Sequence, residues 1–243
     1  MRGLFVTGTD TGVGKTILSA ALLAAMVSEG ARVSAHKPAV TGLDEQPADG
    51  SVALWPPDHE LLGAAAGMRA DDVAPLRYGP AVSPLLAGEL AGETLQARRL
   101  LAAGAAAVSD QGDTDRTVIV EGVGGLLSPL AENLTVCDFA VALRLPLLIA
   151  ARPGLGTINH TLLTLQAARA AGLSVRAVVL TPWPDEPQRL ECSNREAITR
   201  FGFVEVDTLA RASGPQMEEL ARVGAVLPWR RWLGERPGVV DAA

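Results

Sequence analysis

One stretch near the start constrains the chain more than any other. Gly8-Thr-Asp-Thr-Gly-Val-Gly-Lys-Thr16 lies between the apolar run Gly3–Thr7 and the alanine- and leucine-rich run Thr16–Ser28. A short apolar run that breaks at once into glycines predicts a strand entering a turn. Apolar residues then recur at helical spacing (Ile17, Leu18, Ala21, Leu22, Ala25, Met26) up to Gly30, which predicts a helix. Glycines in the turn let backbone N–H groups point inward around a phosphate. The helix adds the positive end of its dipole. Lys15 reaches the β and γ oxygens of a bound nucleotide, and the Thr16 hydroxyl is a Mg²⁺ ligand. Asp10, Thr11, Gly12, Val13, Gly14, Lys15 and Thr16 are thus the expected nucleotide-binding segment, a P-loop. Five residues separate Gly8 from Gly14, one more than in the strict motif, and Thr9 stands where its first glycine would be. A Gly-Lys-Thr at the mouth of an apolar helix still favours a phosphate cradle over a turn that only links strand to helix.

The alternation continues. Strands are expected at Arg32–Lys37, Arg116–Glu121, Pro146–Ala151 and Val175–Thr181, and helices at Ser83–Gly92, Thr94–Ser109, Thr135–Leu143, Thr157–Ala171 and Asn194–Phe201. This predicts an α/β fold, a mainly parallel sheet with helices on both faces, right-handed crossovers and ligands at the carboxyl ends of the strands. Thr41–Val82, rich in Pro, Gly and Asp, is expected to be a surface insertion with one helical piece, Asp58–Gly67. Beyond Gly202 the pattern weakens. With 243 residues and 48% hydrophobic content, the chain is expected to be a single P-loop NTPase-like domain, 1–243. A net charge of −6 gives no general attraction to nucleic acid or acidic membrane. Arg230-Arg231 between Trp229 and Trp232 is too small a basic cluster for such a surface. The apolar start is broken by Gly8, Asp10 and Gly12, and Ile17–Val27 and Leu100–Val108 are too short to span a bilayer. Cys137 and Cys192 fit small buried thiols in a reducing compartment. A cytoplasmic protein with neither nucleic-acid nor membrane partners is expected.

Four further positions carry chemistry. Lys37 ends the second strand, and beside a P-loop it faces the phosphates rather than open solvent. Glu121 follows the strand Thr117–Val120 and precedes Gly122-Val-Gly-Gly125, which resembles a Walker B acid that holds Mg²⁺. Asp58 reads, on the residues alone, as the N-cap of a short helix, with His59 and Glu60 exposed. Gly154-Leu-Gly-Thr-Ile-Asn-His160 leads into a helix whose free N–H groups suit a carboxylate or phosphate. The alternative there is Thr157 as an ordinary N-cap, with His160 a satisfied structural histidine. No Cys/His cluster has zinc-ligand spacing, and no G-x-S-x-G elbow occurs.

Taken together, Gly8–Thr16, Lys37-Pro-Ala-Val-Thr-Gly42, Glu121–Gly125 and Gly154–His160 resemble the dethiobiotin synthetase family. The likeness runs from about Leu4 to Ala197. It implies carboxylation of 7,8-diaminononanoate with CO₂, attack of the carbamate on the γ-phosphate of ATP or another nucleoside triphosphate, and closure of a cyclic urea. By the same resemblance Lys15 and Lys37 are catalytic, and Thr16, Asp58 and Glu121 hold Mg²⁺. Gly124 and Thr181 join the nucleotide site, and Thr41 lies near the diamine. Gly154, Leu155, Gly156, Thr157 and Asn159 receive the substrate carboxylate across a homodimer interface. Many members carry an adenine-reading asparagine after the Val175–Val179 strand. Here Leu180-Thr181-Pro182-Trp183 follows, and threonine lacks an amide fork, so weaker discrimination between nucleotides is expected. Two other readings are a cobyrinic-acid-amidotransferase-type ATPase, which needs a glutaminase domain, and a ParA/MinD-like switch, which needs a lysine where Asp10 stands. Were Lys15 and Lys37 exposed, replacing either would cost activity but little stability.

Overall fold

The computed structural model describes residues 2–45, 55–109 and 115–235. Its elements run β1 (Arg2–Gly8), α1 (Lys15–Ser28), β2 (Val33–His36), α2 (Asp58–Ala66), α3 (Ala70–Val73), α4 (Pro84–Leu90), α5 (Ala97–Val108), β3 (Thr117–Glu121) and β4 (Pro129–Ala131). Then follow β5 (Leu134–Thr135), α6 (Val136–Leu143), β6 (Leu147–Ala151), α7 (Thr157–Ala170), β7 (Val175–Trp183), α8 (Arg189–Gly202), β8 (Val206–Ala210), α9 (Met217–Gly224) and α10 (Trp229–Trp232). Six strands form one sheet in the order β2-β3-β1-β6-β7-β8, and every neighbouring pair is parallel. This is the expected α/β architecture.

Alternate residues of each strand feed opposite faces. Leu4 and Val6 of β1, Ile119 of β3 and Leu148 of β6 pack with α1, α2, α9 and α10. Phe5, Val120 and Ile149 pack with α5, α6, α7 and α8. A sheet covered on both faces leaves the strand ends for polar chemistry, and β1 lies centrally, so its carboxyl end opens at the middle of that rim.

Several expectations need correction. The described part of Thr41–Val82 is not a surface appendage. Leu61, Leu62 and Val73 are buried in the α1 face, and Lys37 N–H and Val40 N–H donate to the Val73 and Leu76 carbonyls. Leu61, Leu62 and Ala65, buried on one side of α2, suffice to dock a short helix on an existing core, although they make no core of their own. Helix α8 starts at Arg189, before the expected Asn194, because Gln188 and Glu191 form a capping box. Strand β7 continues through the cis Thr181–Pro182 bond to Trp183. The antiparallel pair β4–β5 is too short to leave a periodic signal. Cys137 is buried, as expected, but Cys192 is exposed. The closing segment forms β8, α9 and α10, with Trp229 and Trp232 buried. Arg230 and Arg231 pair with Glu29 and Glu205. No described helix is long and apolar enough to cross a membrane.

Helix α9 approaches α1 closely. A Cβ placed on Gly224 would lie 2.1 Å from the Ala21 carbonyl oxygen. Overpacking at a helix contact costs about 2 kcal/mol. Gly224→Ala is therefore expected to lower unfolding stability by that amount in urea titration; an unchanged midpoint would show that the helices separate without cost.

Candidate active site

The loop after β1 is held by its own polar groups. The Thr9 N–H donates to the Ala150 carbonyl at 3.0 Å, fastening the loop to β6. The Asp10 carboxylate accepts from the Thr11 N–H at 2.7 Å, and its carbonyl accepts from Lys15 Nζ at 2.8 Å. Gly14 has φ 92°, and a Cβ there would meet Thr181 Cγ2 at 2.8 Å. Glycine is thus required both by conformation and by the close approach of β7. Lys15 is buried, and its pKa is lowered to about 8, first by burial and then by the charge of Lys37.

Lys37, the residue after β2, is also buried. Its Nζ lies 2.5 Å from Glu121 Oε1 and 3.0 Å from Asp58 Oδ2. The Thr16 hydroxyl donates to the same Glu121 oxygen at 2.9 Å. Burial alone would lower the Lys37 pKa, but Asp58 and Glu121 outweigh it and raise it above the ordinary lysine range. Burial would raise the Asp58 pKa, but the Lys37 charge outweighs it, and the net shift is downward. Glu121 is fully buried, and its Oε2 has no hydrogen-bond partner among the described residues. The reading of Asp58 as a helix cap is corrected. Pro57 is the cap residue of α2, and Asp58 is the first helical residue, with its carboxylate turned to Lys37. His59 is buried rather than exposed, and its pKa is lowered by that burial; Glu60 is exposed.

A cavity of about 720 Å³ opens over this cluster, and its lining brings together Thr11, Gly12, Gly14, Lys15, Thr16, Lys37, Thr41, Asp58 and Gly124. Glu121 lies beneath them. Glu45, Trp55, Ser83 and Ser128 also line the cavity. None of them belongs to a motif: Glu45, Trp55 and Ser128 sit in irregular segments, and Ser83 caps α4. The condition under which either lysine could be replaced at little cost in stability is not met, since both Lys15 and Lys37 are nearly inaccessible.

Residues 2–231 match the family model described as an AAA domain. The ATP-dependent dethiobiotin synthetase BioD of Mycobacterium avium (strain 104) is 39% identical over 235 residues, spanning 96% of this chain and 98% of that one. The Bacillus subtilis (strain 168) protein of the same name is 35% identical, over 83% of each chain. The chain belongs to the dethiobiotin synthetase family. A Caulobacter sp. (strain K31) dethiobiotin synthetase is 41% identical over 77% of this chain and 79% of its own. The solved complex of a Cyanothece McdA variant with ATP superposes with a TM-score of 0.51 at 14% identity, covering 98% of both chains, a likeness of fold alone.

Not every residue carried over from the dethiobiotin synthetase resemblance meets in this cavity. Thr181 is buried against Gly14 and is not among the lining residues. Gly154, Leu155, Gly156, Thr157 and Asn159 lie beyond β6, at the start of α7, outside the cavity. Gly156, not Thr157, is the cap residue, and the Thr157 side chain is buried against Thr161. Leu155 is 91% exposed. His160 is exposed. Two anchors were not foreseen. Asn194 Nδ2 donates to the Pro153 and Gly154 carbonyls at 2.8 and 3.0 Å, tying α8 to the turn before α7. Arg152 donates to the Gly12 carbonyl. Neither stands in a motif, so only the folded contacts single them out.

Proposed function

We propose that the chain closes the ureido ring of dethiobiotin at this cavity. The substrates are 7,8-diaminononanoate, CO₂ and a nucleoside triphosphate. The observation that carries the reading is the pair of lysines, Lys15 from the loop and Lys37 from the end of β2, lining one cavity at the carboxyl end of β1. A carbamate and a triphosphate repel each other, and two fixed cations offset that repulsion and orient the carbamate oxygen toward the γ-phosphorus. A P–O bond forms as the bond to the departing diphosphate breaks. The second amine then attacks the carbamoyl carbon, loses a proton and expels phosphate.

The donor set fits Mg²⁺, which takes oxygen ligands. Thr16, Asp58 and Glu121 would supply them, and the buried Glu121 Oε2, without a hydrogen-bond partner among the described residues, supports the assignment. Bound there, the ion would neutralise charge on the β and γ oxygens. Gly154, Leu155, Gly156, Thr157 and Asn159 act in trans in this reading, receiving the carboxylate of a substrate held by a second copy. Their position away from their own cavity supports a homodimer. A cytoplasmic location is part of the same proposal.

Phosphate release tests the function. The reading requires release only when diamine and bicarbonate are both present with the nucleotide. A slow release that ignores both would fit a switch ATPase instead. For the base, Thr181 offers no amide fork. ATP is expected to be displaced by CTP or GTP within about tenfold of its own affinity. A competition assay with ATP preferred a thousandfold would contradict this.

A further inference from the structure

We propose that Arg152 is a positioning residue of the phosphate cradle: it holds the Gly12 carbonyl outward and so presents the Val13 N–H to a bound phosphate. The inference rests on the nucleotide reading of the loop. Three alternate carbonyls of that loop are tied down. Asp10 accepts from Lys15 Nζ at 2.8 Å, Gly12 from Arg152 Nη2 at 3.1 Å and Nε at 3.3 Å, and Gly14 from the Leu18 N–H at 3.0 Å. The first and third partners belong to the loop and its own helix. Arg152 alone of these comes from elsewhere, from the residue after β6.

The clamp acts on a peptide that follows a glycine. Gly12 has φ 67°, and the Gly12–Val13 peptide turns about the Gly12 ψ and the Val13 φ. With no Cβ on Gly12, the first of these torsions is little restricted once the carbonyl is released. In a planar trans peptide the C=O and N–H point in opposite directions. Arg152 is not among the residues lining the cavity. A carbonyl drawn toward it turns the Val13 N–H the other way, to the side lined by Gly12, Gly14 and Lys15. Arg152 is exposed, so its removal leaves no cavity in the core.

The test is equilibrium binding of magnesium–ADP and of a non-hydrolysable ATP analogue by calorimetry to the full chain, as wild type, Arg152→Met and Arg152→Lys. Arg152→Met is expected to weaken both nucleotides about tenfold, the effect of one hydrogen bond to a charged group. The nucleotide KM rises by the same factor, while kcat stays within about twofold. Arg152→Lys, which still donates to the carbonyl, recovers most of the affinity. The loss in Arg152→Met persists at high salt. Wild-type affinity in Arg152→Met overturns the proposal. So does a loss that vanishes at high salt, since it would assign Arg152 a through-space charge effect. Failure of the wild type itself to bind either nucleotide would overturn the P-loop reading instead.

Discussion

Replacing Lys37 by alanine is expected to lower turnover by at least about a hundredfold and to lower stability by about 3 kcal/mol. The two losses share one cause. The ammonium stands between Glu121 and Asp58 at 2.5 and 3.0 Å, and Glu121 is fully buried. Without Lys37 a buried carboxylate has lost its counter-ion, and the reacting anions have lost a cation that offsets their repulsion. In the wild type, the stability contributed by this ion cluster should be nearly constant with pH across the neutral range. The folded-state Lys37 pKa is raised, so its contribution is complete below the ordinary lysine range and is lost only as pH rises through that higher value. The Asp58 pKa is lowered from 3.8, so its contribution is complete above that value and is lost as pH falls through the still lower folded one. Urea unfolding of wild type and variant at neutral pH, where both contributions are complete, measures the loss. Turnover within threefold of wild type would remove Lys37 from the mechanism.

Lys15→Ala is expected to cost a comparable factor in turnover while leaving stability at neutral pH within about 0.5 kcal/mol of wild type, or higher. Lys15 is nearly as buried as Lys37, yet its only hydrogen-bond acceptor among the described residues is the Asp10 carbonyl. Burial and the Lys37 charge bring its pKa down to about 8. The folded protein then sheds this proton before the unfolded chain does, so wild-type stability gains as pH rises from about 8 toward 10.5. The variant lacks that gain. A triphosphate seated over Lys15 would favour the charged form, so nucleotide binding above about pH 8 should take up a proton. Calorimetry in two buffers of different ionisation enthalpy measures this uptake. A Lys15→Ala chain as destabilised as Lys37→Ala would show that the two cations are held alike, contrary to their different partners.

The parts of this site visible in the sequence were those fixed by local chain geometry. The Gly8–Thr16 loop announces itself because glycines and a Lys-Thr pair must fall at set positions between a strand and a helix. Glu121 is visible because an acid at the end of a buried strand has few other uses. Lys37 was visible as a position, but its burial was not, since that depends on Asp58 arriving from a segment with no periodic pattern. Asp58 itself was indistinguishable from a helix cap on local grounds, because its role is set by a lysine across the cavity. Arg152 and Asn194 were invisible for the same reason; each acts on a carbonyl far away in the chain, and a carbonyl has no residue identity to read. In the fold, strands buried on both faces were legible as apolar runs, whereas β8 and α9 owe their placement to packing against β7 and α1.

The most direct test follows the oxygen atoms. When the reaction is run with bicarbonate labelled with heavy oxygen, the carbamate oxygen that attacks the γ-phosphorus departs with it. Each phosphate released should then carry one labelled oxygen, detected by mass spectrometry, in step with cyclic urea formed. Phosphate that takes its new oxygen from water instead would mean that the cavity hydrolyses nucleotide without joining the two anions.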